Sequence, residues 1–432
     1  METPKKIKVA LLGVGTVGTG VYKILTRQRE EMVHKIGAEL EIVKILVRDR
    51  KKERPGIPAE LLTDCFADIL DDPEIQIVIE VMGGMEPART YILEAFRHGK
   101  HVVSANKDLI ANDGKELFEA AQENHRDFLF EAAVAGGIPI IRPLKQCLAG
   151  NNLTEVMGIV NGTTNFILTK MTENGMDFGE ALKMAQELGY AEADPTADVE
   201  GLDAGRKMAI MASIAFHTRI TFSDVYTEGI TKISADDIRY AKEMGCDIKL
   251  LGLAKNTPEG IEVRVHPMLI PSNHALASVR DSFNAVFVHG DAVGDTMFYG
   301  RGAGEMPTGS AVVGDVIDIA RNIQYGCNGR IGCTCYKEIP VKKMEDTFNS
   351  YFLRIQVQNR PGVLANIAAV FGNNQVSIAQ IVQKKAVKGR AELVVITDCV
   401  CEKNMRDSVM ILEGMSIIQE ISSIIRVYTE EE

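Results

Sequence analysis

Residues 9–25 read VALLGVGTVGTGVYKIL: an apolar run, three spaced glycines and the start of an amphipathic stretch. Gly13, Gly15 and Gly18 stand in GxGxxG spacing. Glycines there let the backbone turn tightly and come close to a pyrophosphate, which then rests on the positive N-terminus of the following helix. The same letters also spell a tight turn that holds no ligand, so the motif alone is a weak signal. Its surroundings decide.

Moving outward, β-rich runs alternate with amphipathic helices from residue 5 to about 140: KIKVALL, EIVKILV, QIVIEVM, HVVSA and DFLFEAAV. Such alternation predicts a doubly wound parallel sheet with helices on both faces, and it places the glycine turn at the first strand-to-helix junction. The expected fold class is therefore α/β, with a Rossmann-type dinucleotide-binding domain over 1–140. Residues 141–301 mix helices (FGEALKMAQELG, LDAGRKMAIMASIAF, SADDIRYAKEMG) with strands (DIKLLGLAKN, IEVRVHPMLI, NAVFVHG) and predict a second α/β domain. The run AGEMPTGSAVVGDVIDIARNI has apolar residues at spacings of three and four, and predicts a helix over 302–325 that returns to the first domain. Residues 326–349 read as a linker, and 350–432 as an independent small α/β module.

Composition sets the outer bounds. With 432 residues, 46% hydrophobic and 25% charged, the chain can bury a large core. A formal net charge of −11 argues against a nucleic-acid partner, because neutralising phosphates needs a basic face. No secretory leader and no long apolar run is apparent, so a cytoplasmic protein without a membrane partner is expected. The eight cysteines are scattered and read as reduced thiols. The cluster YGCNGRIGCTC lacks paired CxxC knuckles and a nearby histidine, so a mobile glycine-rich connector is favoured over a zinc site.

At the end of the second strand, where an acid commonly holds the ribose 2′-hydroxyl, stands Arg48, followed by DRKK. A guanidinium there suits a 2′-phosphate and favours NADP, while Asp49 leaves NAD open. The alternative is that Arg48, Arg50, Lys51 and Lys52 form a solvated turn.

In EADPTADVEGLDAGRKMAI, residues 192–210, Asp203 and Lys207 are four apart and share one helix face. An exposed ion pair at that spacing is worth roughly a few tenths of a kcal/mol. The apolar residues directly after Lys207 argue instead for a lysine held close to a core. Here the sequence resembles the homoserine dehydrogenases. The run AQELGYAEADPTADVEGLDAGRK, residues 185–207, matches that family's signature in order and spacing. The likeness extends over the whole chain through SANK, EAAVAGGIPI, NGTTNFIL and GAGEMPTGSAVVGD, and the C-terminal module, with NRPGVLANI, is similar to ferredoxin-like ACT domains. With no kinase-like segment ahead of the first strand, the monofunctional bacterial form is expected.

The resemblance implies NAD(P)-dependent interconversion of L-aspartate 4-semialdehyde and L-homoserine, on the route to threonine, methionine and isoleucine. It implies that Lys207 is the proton donor, that Asp203 binds and orients the substrate, and that Glu192 holds the substrate amino group. Lys107, in SANK, is implied as a cofactor and substrate contact that shares the catalytic work, and the sequence does not apportion the two lysines. Besides the three turn glycines, the implied cofactor contacts are Val14, Thr16, Val17, Ser104, Gly189 and Gly304. EAAVAGGIP resembles the family's monovalent-cation site, where Glu131, Val134, Gly136 and Ile138 would offer mostly backbone oxygens to sodium. Asn161, Thr163, Thr164 and Asn165 either bind the substrate's amino-acid end or cap the next helix. His101 reads as filling at a sheet edge.

ACT-like modules pair edge to edge and bind amino acids, so the resemblance implies a threonine effector, or a purely oligomeric role, and a homodimer or homotetramer. Two rivals remain at this level. A non-catalytic sensor would keep the glycine turn and need no Lys207. An aspartate-semialdehyde dehydrogenase would need a nucleophilic cysteine beside a histidine, and no cysteine here has that setting.

Overall fold

A computed structural model describes residues 5–383 and 389–429. The chain forms two compact units. One comprises Met1–Val156, Arg206–Val225 and Phe283–Glu338, the other Met157–Gly205, Tyr226–Ser282 and Ile339–Glu432.

The first unit carries a parallel six-stranded sheet of β1 (Lys5–Leu12), β2 (Ala38–Leu46), β3 (Leu62–Thr63), β4 (Ile75–Glu80), β5 (His101–Ser104) and β6 (Phe128–Leu129), in the order β3-β2-β1-β4-β5-β6. The inner strands are apolar on both faces because helices cover both. Val9 and Leu11 on one face of β1, Ala10 and Leu12 on the other, and Ile77, Val78 and Ile79 of β4 are all sealed from solvent. The chain crosses over after β3, so β1 lies between β2 and β4. The crevice beyond the carboxyl ends of β1 and β4 is thus the topological switch point, where open α/β sheets take ligands.

β6 is shorter than the run DFLFEAAV predicts. After Leu129 the chain turns into a 3-10 segment, Glu131–Ala133, because the Glu131 amide is drawn to the Asp315 carboxylate at 2.7 Å. His101 is not at an edge. It opens β5, which lies between β4 and β6, and its ring accepts the Asp127 amide at 3.0 Å.

Helix α1 (Thr16–Arg27) meets the helix Glu305–Tyr325 through glycines: a Cβ on Gly20 would sit 2.1 Å from the Glu305 carbonyl oxygen, and one on Gly309 2.9 Å from the Gly20 carbonyl carbon. That approach lets Val312, Val313, Val316 and Ile319 enter the same core as β1 and α1. Each such side chain contributes about 2 kcal/mol by leaving water.

In the second unit, the strands Cys246–Thr257 and Gly260–Pro271 pair antiparallel around a tight turn, with Gly260 at φ +140°. The C-terminal module contributes the strands Phe348–Gln358, Ile378–Gln383, Arg390–Thr397 and Ile418–Val427 and the helices Val363–Asn373 and Glu402–Glu413. Its last strand pairs with its first, which pairs with its third, which pairs with its second, all antiparallel; this is the ferredoxin-like order. Residues 384–388, between the second and third of these strands, where the sequence predicts a hairpin-like turn, lie outside the described residues. Val357, Val363, Ile367, Phe371, Leu393 and Leu412 form its core. Two buried arginines in this unit are each paired with two acids: Arg354 with Asp237 and Glu392, Arg426 with Glu228 and Glu402.

The connector expected to be mobile is held by backbone hydrogen bonds in each unit. In the first unit the Lys337 amide donates to the His217 carbonyl at 2.8 Å and the Lys337 carbonyl accepts the Thr218 hydroxyl at 2.9 Å. In the second, the Ile261 and Lys342 amides make 2.8 Å bonds to Pro340 and Ile261. Among the described residues no helix is long and apolar enough to cross a membrane.

Candidate active site

The glycine turn is built from three different environments. Gly13, at φ +96°, donates its amide to the Leu46 carbonyl at 3.0 Å, and a Cβ there would crowd Val81 and Met82. Gly18 is pressed onto the turn, since its Cβ would stand 2.4 Å from the Gly13 carbonyl oxygen. At Gly15, by contrast, a Cβ would meet nothing within 4 Å, and Gly15 caps α1 without any side chain bonding the first-turn amides. Open space in front of an uncapped helix N-terminus, inside a tightly packed turn, fits a pyrophosphate. Thr16 is exposed at the mouth, while Val14 and Val17 are half-buried against the core.

Arg48 stands two residues past the end of β2 and is exposed. Its loop is fixed by neighbours: the Asp49 carboxylate accepts the Lys51 amide at 2.8 Å, and Arg54 donates to the carbonyls of Asp49 (2.9 Å) and Lys52 (2.8 Å). Asp49 is thus already committed to its own turn.

Across the crevice, the ends of β4 and β5 are joined by a residue that sequence reasoning passed over. Glu80 is fully buried; it accepts the Ser104 hydroxyl at 2.7 Å, the Met82 amide at 2.8 Å and the Gly83 amide at 3.2 Å. Burial pushes its carboxyl above the ordinary range, against the pull of these donors. Asn106 extends the network to the Ser104 hydroxyl (3.0 Å) and the Gly84 carbonyl (2.7 Å), and caps the helix Lys107–Glu123 through the Leu109 amide at 3.2 Å. The Ser104 side chain therefore faces inward to Glu80, which leaves its main chain for any cofactor contact. Its signal in the sequence was one acid at the end of the apolar run QIVIE. Lys107 is the first residue of its helix, where the helix dipole opposes a cation.

Asp203 and Lys207 sit one turn apart on the helix Leu202–Ala215. Asp203 is buried, and its Oδ2 accepts the Asn161 amide at 2.9 Å; Asn161 also donates to Asp198 at 2.7 Å. The same Asn161 caps the helix Gly162–Asn174 through the Thr164 amide at 2.9 Å. Its neighbours have structural duties. The Thr163 hydroxyl donates to the Tyr190 carbonyl at 2.6 Å, and Asn165 bonds the carbonyls of Val279 and Asp281 and the buried Lys249. Lys207 is half-buried. Beside it, Arg206 pairs with Asp108 at 2.7 Å and stacks its guanidinium on Phe222 at 4.7 Å. Asp108 adjoins Lys107, so this one ion pair draws together the helices that carry Lys107 and Lys207. Neither Arg206 nor Asp108 was singled out from the sequence.

Glu192 is exposed, and its carbonyl accepts the Gln186 amide at 3.1 Å. Gly189, at φ +77°, is an exposed helix-end glycine. Gly304, at φ +128°, precedes the helix whose first residue, Glu305, abuts Gly20 of α1 and pairs with Lys23 at 2.7 Å.

In the turn 131–138, Ala135 (φ +55°) and Gly136 (φ +53°) both take left-handed backbone. A Cβ on Gly136 would lie 2.3 Å from the Gly302 carbonyl oxygen, so only glycine fits. The Glu131 carboxylate accepts the amides of Ile140, Ile141 and Arg142 at 2.6–2.8 Å. Among the described residues no three His, Cys, Asp or Glu side chains gather as a metal-ligating group.

Comparison with known proteins bears on all of this. The family model described as homoserine dehydrogenase matches residues 139–317, that of the homoserine dehydrogenase NAD-binding domain residues 13–131, and that of the ACT domain residues 351–413. A homoserine dehydrogenase of Bacillus subtilis is 45% identical over 427 residues, covering 98% of each chain. The crystal structure of a homoserine dehydrogenase from Thiobacillus denitrificans superimposes with a TM-score of 0.92 at 43% identity, covering 98% of each chain. A hyperthermophilic archaeal homoserine dehydrogenase in complex with NADPH is 26% identical with a TM-score of 0.62, over 73% of this chain and 97% of that one.

Proposed function

The chain belongs to the homoserine dehydrogenase family, an NAD(P)-dependent oxidoreductase that interconverts L-aspartate 4-semialdehyde and L-homoserine, and from that premise we propose which of its residues do the work. Lys207 is the proton donor to the carbonyl oxygen, Asp203 orients the substrate, Glu192 receives its amino group, and Lys107 contacts both cofactor and substrate. The observation that carries this reading is the Arg206–Asp108 ion pair at 2.7 Å, which sets the two lysine-bearing helices against each other.

Reduction of an aldehyde leaves negative charge on oxygen, and an ammonium both stabilises that charge and supplies the proton. The dinucleotide, when bound, supplies or takes up hydride at the aldehyde carbon. Its pyrophosphate would lie on the amides that follow Gly13, Gly15 and Gly18, with Val14, Thr16, Val17, Ser104, Gly189 and Gly304 as further contacts. The open face of Gly15 supports this placement. Asp203 can orient substrate because Asn161 holds its carboxylate in one position.

NADP is the proposed cofactor. Arg48 is exposed just past β2, whose Leu46 carbonyl is bonded to the glycine turn, and Asp49 is engaged by Lys51. The archaeal relative's structure in complex with NADPH supports the same choice. Sodium is proposed at Glu131, Val134, Gly136 and Ile138. An all-oxygen donor set on a curled, left-handed turn suits a hard cation, which would brace the turn and take no part in the reaction. The ACT domain is proposed to sense threonine. The proposed functional division follows the sequence: 1–140 with 302–325 for cofactor, 141–301 for catalysis and dimerisation, and 350–432 for regulation. A cytoplasmic homodimer or homotetramer is proposed, supported by Met297 and Tyr299, which stand exposed on the outermost strand Gly294–Arg301.

The test is homoserine oxidation in phosphate-free buffer, followed by absorbance of the reduced cofactor, with NADP and NAD compared in wild type and Arg48→Ala. We expect phosphate-independent turnover and a KM for NADP raised about tenfold by the substitution, as for one lost charge-assisted bond. An unchanged NADP preference would sink the role of Arg48. Threonine titrated into the full chain should lower the rate at millimolar concentration, and no change would remove it as effector.

A further inference from the structure

The cysteine cluster takes no part in the reaction above, yet it is not an idle connector. Cys333 is exposed, and its sulfur accepts the Arg219 guanidinium at 3.1 Å. Cys335, two residues on, borders the same cavity as Cys333, and its thiol donates to the Ser213 carbonyl at 3.6 Å. Lys145 points into the same place, its ammonium 5.1 Å above the rings of Phe118 and Phe130. These groups border a cavity of about 20 Å³, closed further by Ile110 and Ile214. A void of that size holds one molecule little larger than water.

The neighbouring Cys335 thiol, and then the charges of Arg219 and Lys145, hold the Cys333 thiol well below the ordinary thiol range despite partial burial. The Cys333 sulfur beside it and burial push the Cys335 thiol up. A stabilised thiolate under two cations, beside a second thiol and a space for one small molecule, is the arrangement that reacts with a hydroperoxide.

We propose that Cys333 is a peroxide-reactive site and Cys335 its resolving thiol. The Cys333 thiolate attacks one peroxide oxygen; an S–O bond forms, the O–O bond breaks, sulfur is oxidised by two electrons and hydroxide departs. Cys335 then gives up its proton and attacks the sulfenic sulfur. An S–S bond forms, the S–O bond breaks, and the departing hydroxide leaves as water. Disulfide formation removes the proton that the Cys335 thiol donates to the Ser213 carbonyl on the helix Leu202–Ala215, and the cavity lies between that helix and the helix Lys107–Glu123, so turnover falls as the disulfide forms and returns on reduction.

The experiment uses the full reduced chain, one equivalent of hydrogen peroxide, and peptide mass mapping over time. Expected are loss of two hydrogens from the peptide containing Cys333 and Cys335, a dimedone-trapped sulfenic acid at Cys333 in Cys335→Ser, and oxidation of Cys333 at least tenfold faster than of the exposed Cys65 and Cys147 in the same chain. Arg219→Met should slow it at least fivefold; if that variant does not fold, the Cys335→Ser trapping decides alone. Equal rates at Cys333, Cys65 and Cys147, or no trapped sulfenic acid at Cys333, would overturn the site. A disulfide formed with unchanged kcat would overturn its link to turnover.

Discussion

Asn161→Ser separates the structural and functional duties of one side chain. The Asn161 carbonyl oxygen accepts the Thr164 amide at 2.9 Å and so caps its helix, while the amide nitrogen donates to Asp198 at 2.7 Å and to Asp203 at 2.9 Å. Serine caps about as well as asparagine, so the roughly 1 kcal/mol that alanine would lose is largely kept. A single short hydroxyl cannot also serve two carboxylates. Asp203 is only 8% exposed, so water replaces the lost donor poorly. A hydrogen bond to a charged group contributes ~1.5–3 kcal/mol, and at about 1.4 kcal/mol per decade its loss from substrate placement raises the KM for homoserine roughly tenfold to a hundredfold. Initial rates over a homoserine series give KM and kcat, and urea unfolding by circular dichroism gives stability. Asn161→Ala should show the same KM with about 1 kcal/mol further loss of stability. If Asn161→Ser folds normally and keeps wild-type KM and kcat, Asp203 is not held for substrate by this amide and the reasoning fails.

Two further perturbations follow from packing and charge. Gly15→Ala should leave the melting temperature of the ligand-free protein within a degree or two and raise the KM for NADPH about tenfold, because the new methyl meets no protein atom but enters the proposed pyrophosphate space; Gly20→Ala, whose methyl would strike the Glu305 carbonyl, should instead destabilise by about 1–3 kcal/mol, read by thermal melts. Lys249 is buried, donating to Val279 at 2.6 Å and Asn165 at 3.1 Å, and burial, with Arg280 nearby, brings its ammonium from 10.5 down to about 8. Between those values the unfolded chain binds the extra proton, so stability rises with pH across pH 8 to 10.5 and the full penalty, about 3 kcal/mol, is present below 8. Urea titrations at pH 7.5 and 10 should show that rise in wild type and not in Lys249→Met; parallel behaviour of the two would refute it.

The parallel sheet was legible because its strands are apolar on both faces and its helices carry a 3.6-residue period, and Asp203 and Lys207 because a spacing of four defines a helix face. The end of β6 was not. DFLFEAAV has a strand's composition, and only the Asp315 carboxylate, 184 residues away in sequence, draws the Glu131 amide out of the sheet. The same holds for the site's supports. Asn161 was legible as a helix cap but not as the holder of Asp203; Glu80, Asp108 and Arg206 likewise act through partners fixed by tertiary structure, and no local pattern marks a residue whose duty is to hold another. The connector read as mobile from its glycines, yet its backbone amides find partners at His217 and Ile261 that periodicity does not reveal.

The central claim is that the Lys207 ammonium protonates the carbonyl oxygen. It is tested most directly by single-turnover oxidation of NADPH by aspartate 4-semialdehyde in wild type and Lys207→Met, with cofactor affinity measured separately by fluorescence. The account predicts a rate lowered ~10²–10⁴-fold with the affinity for NADPH within about twofold of wild type. A Lys207→Met enzyme that turns over at the wild-type rate would contradict it.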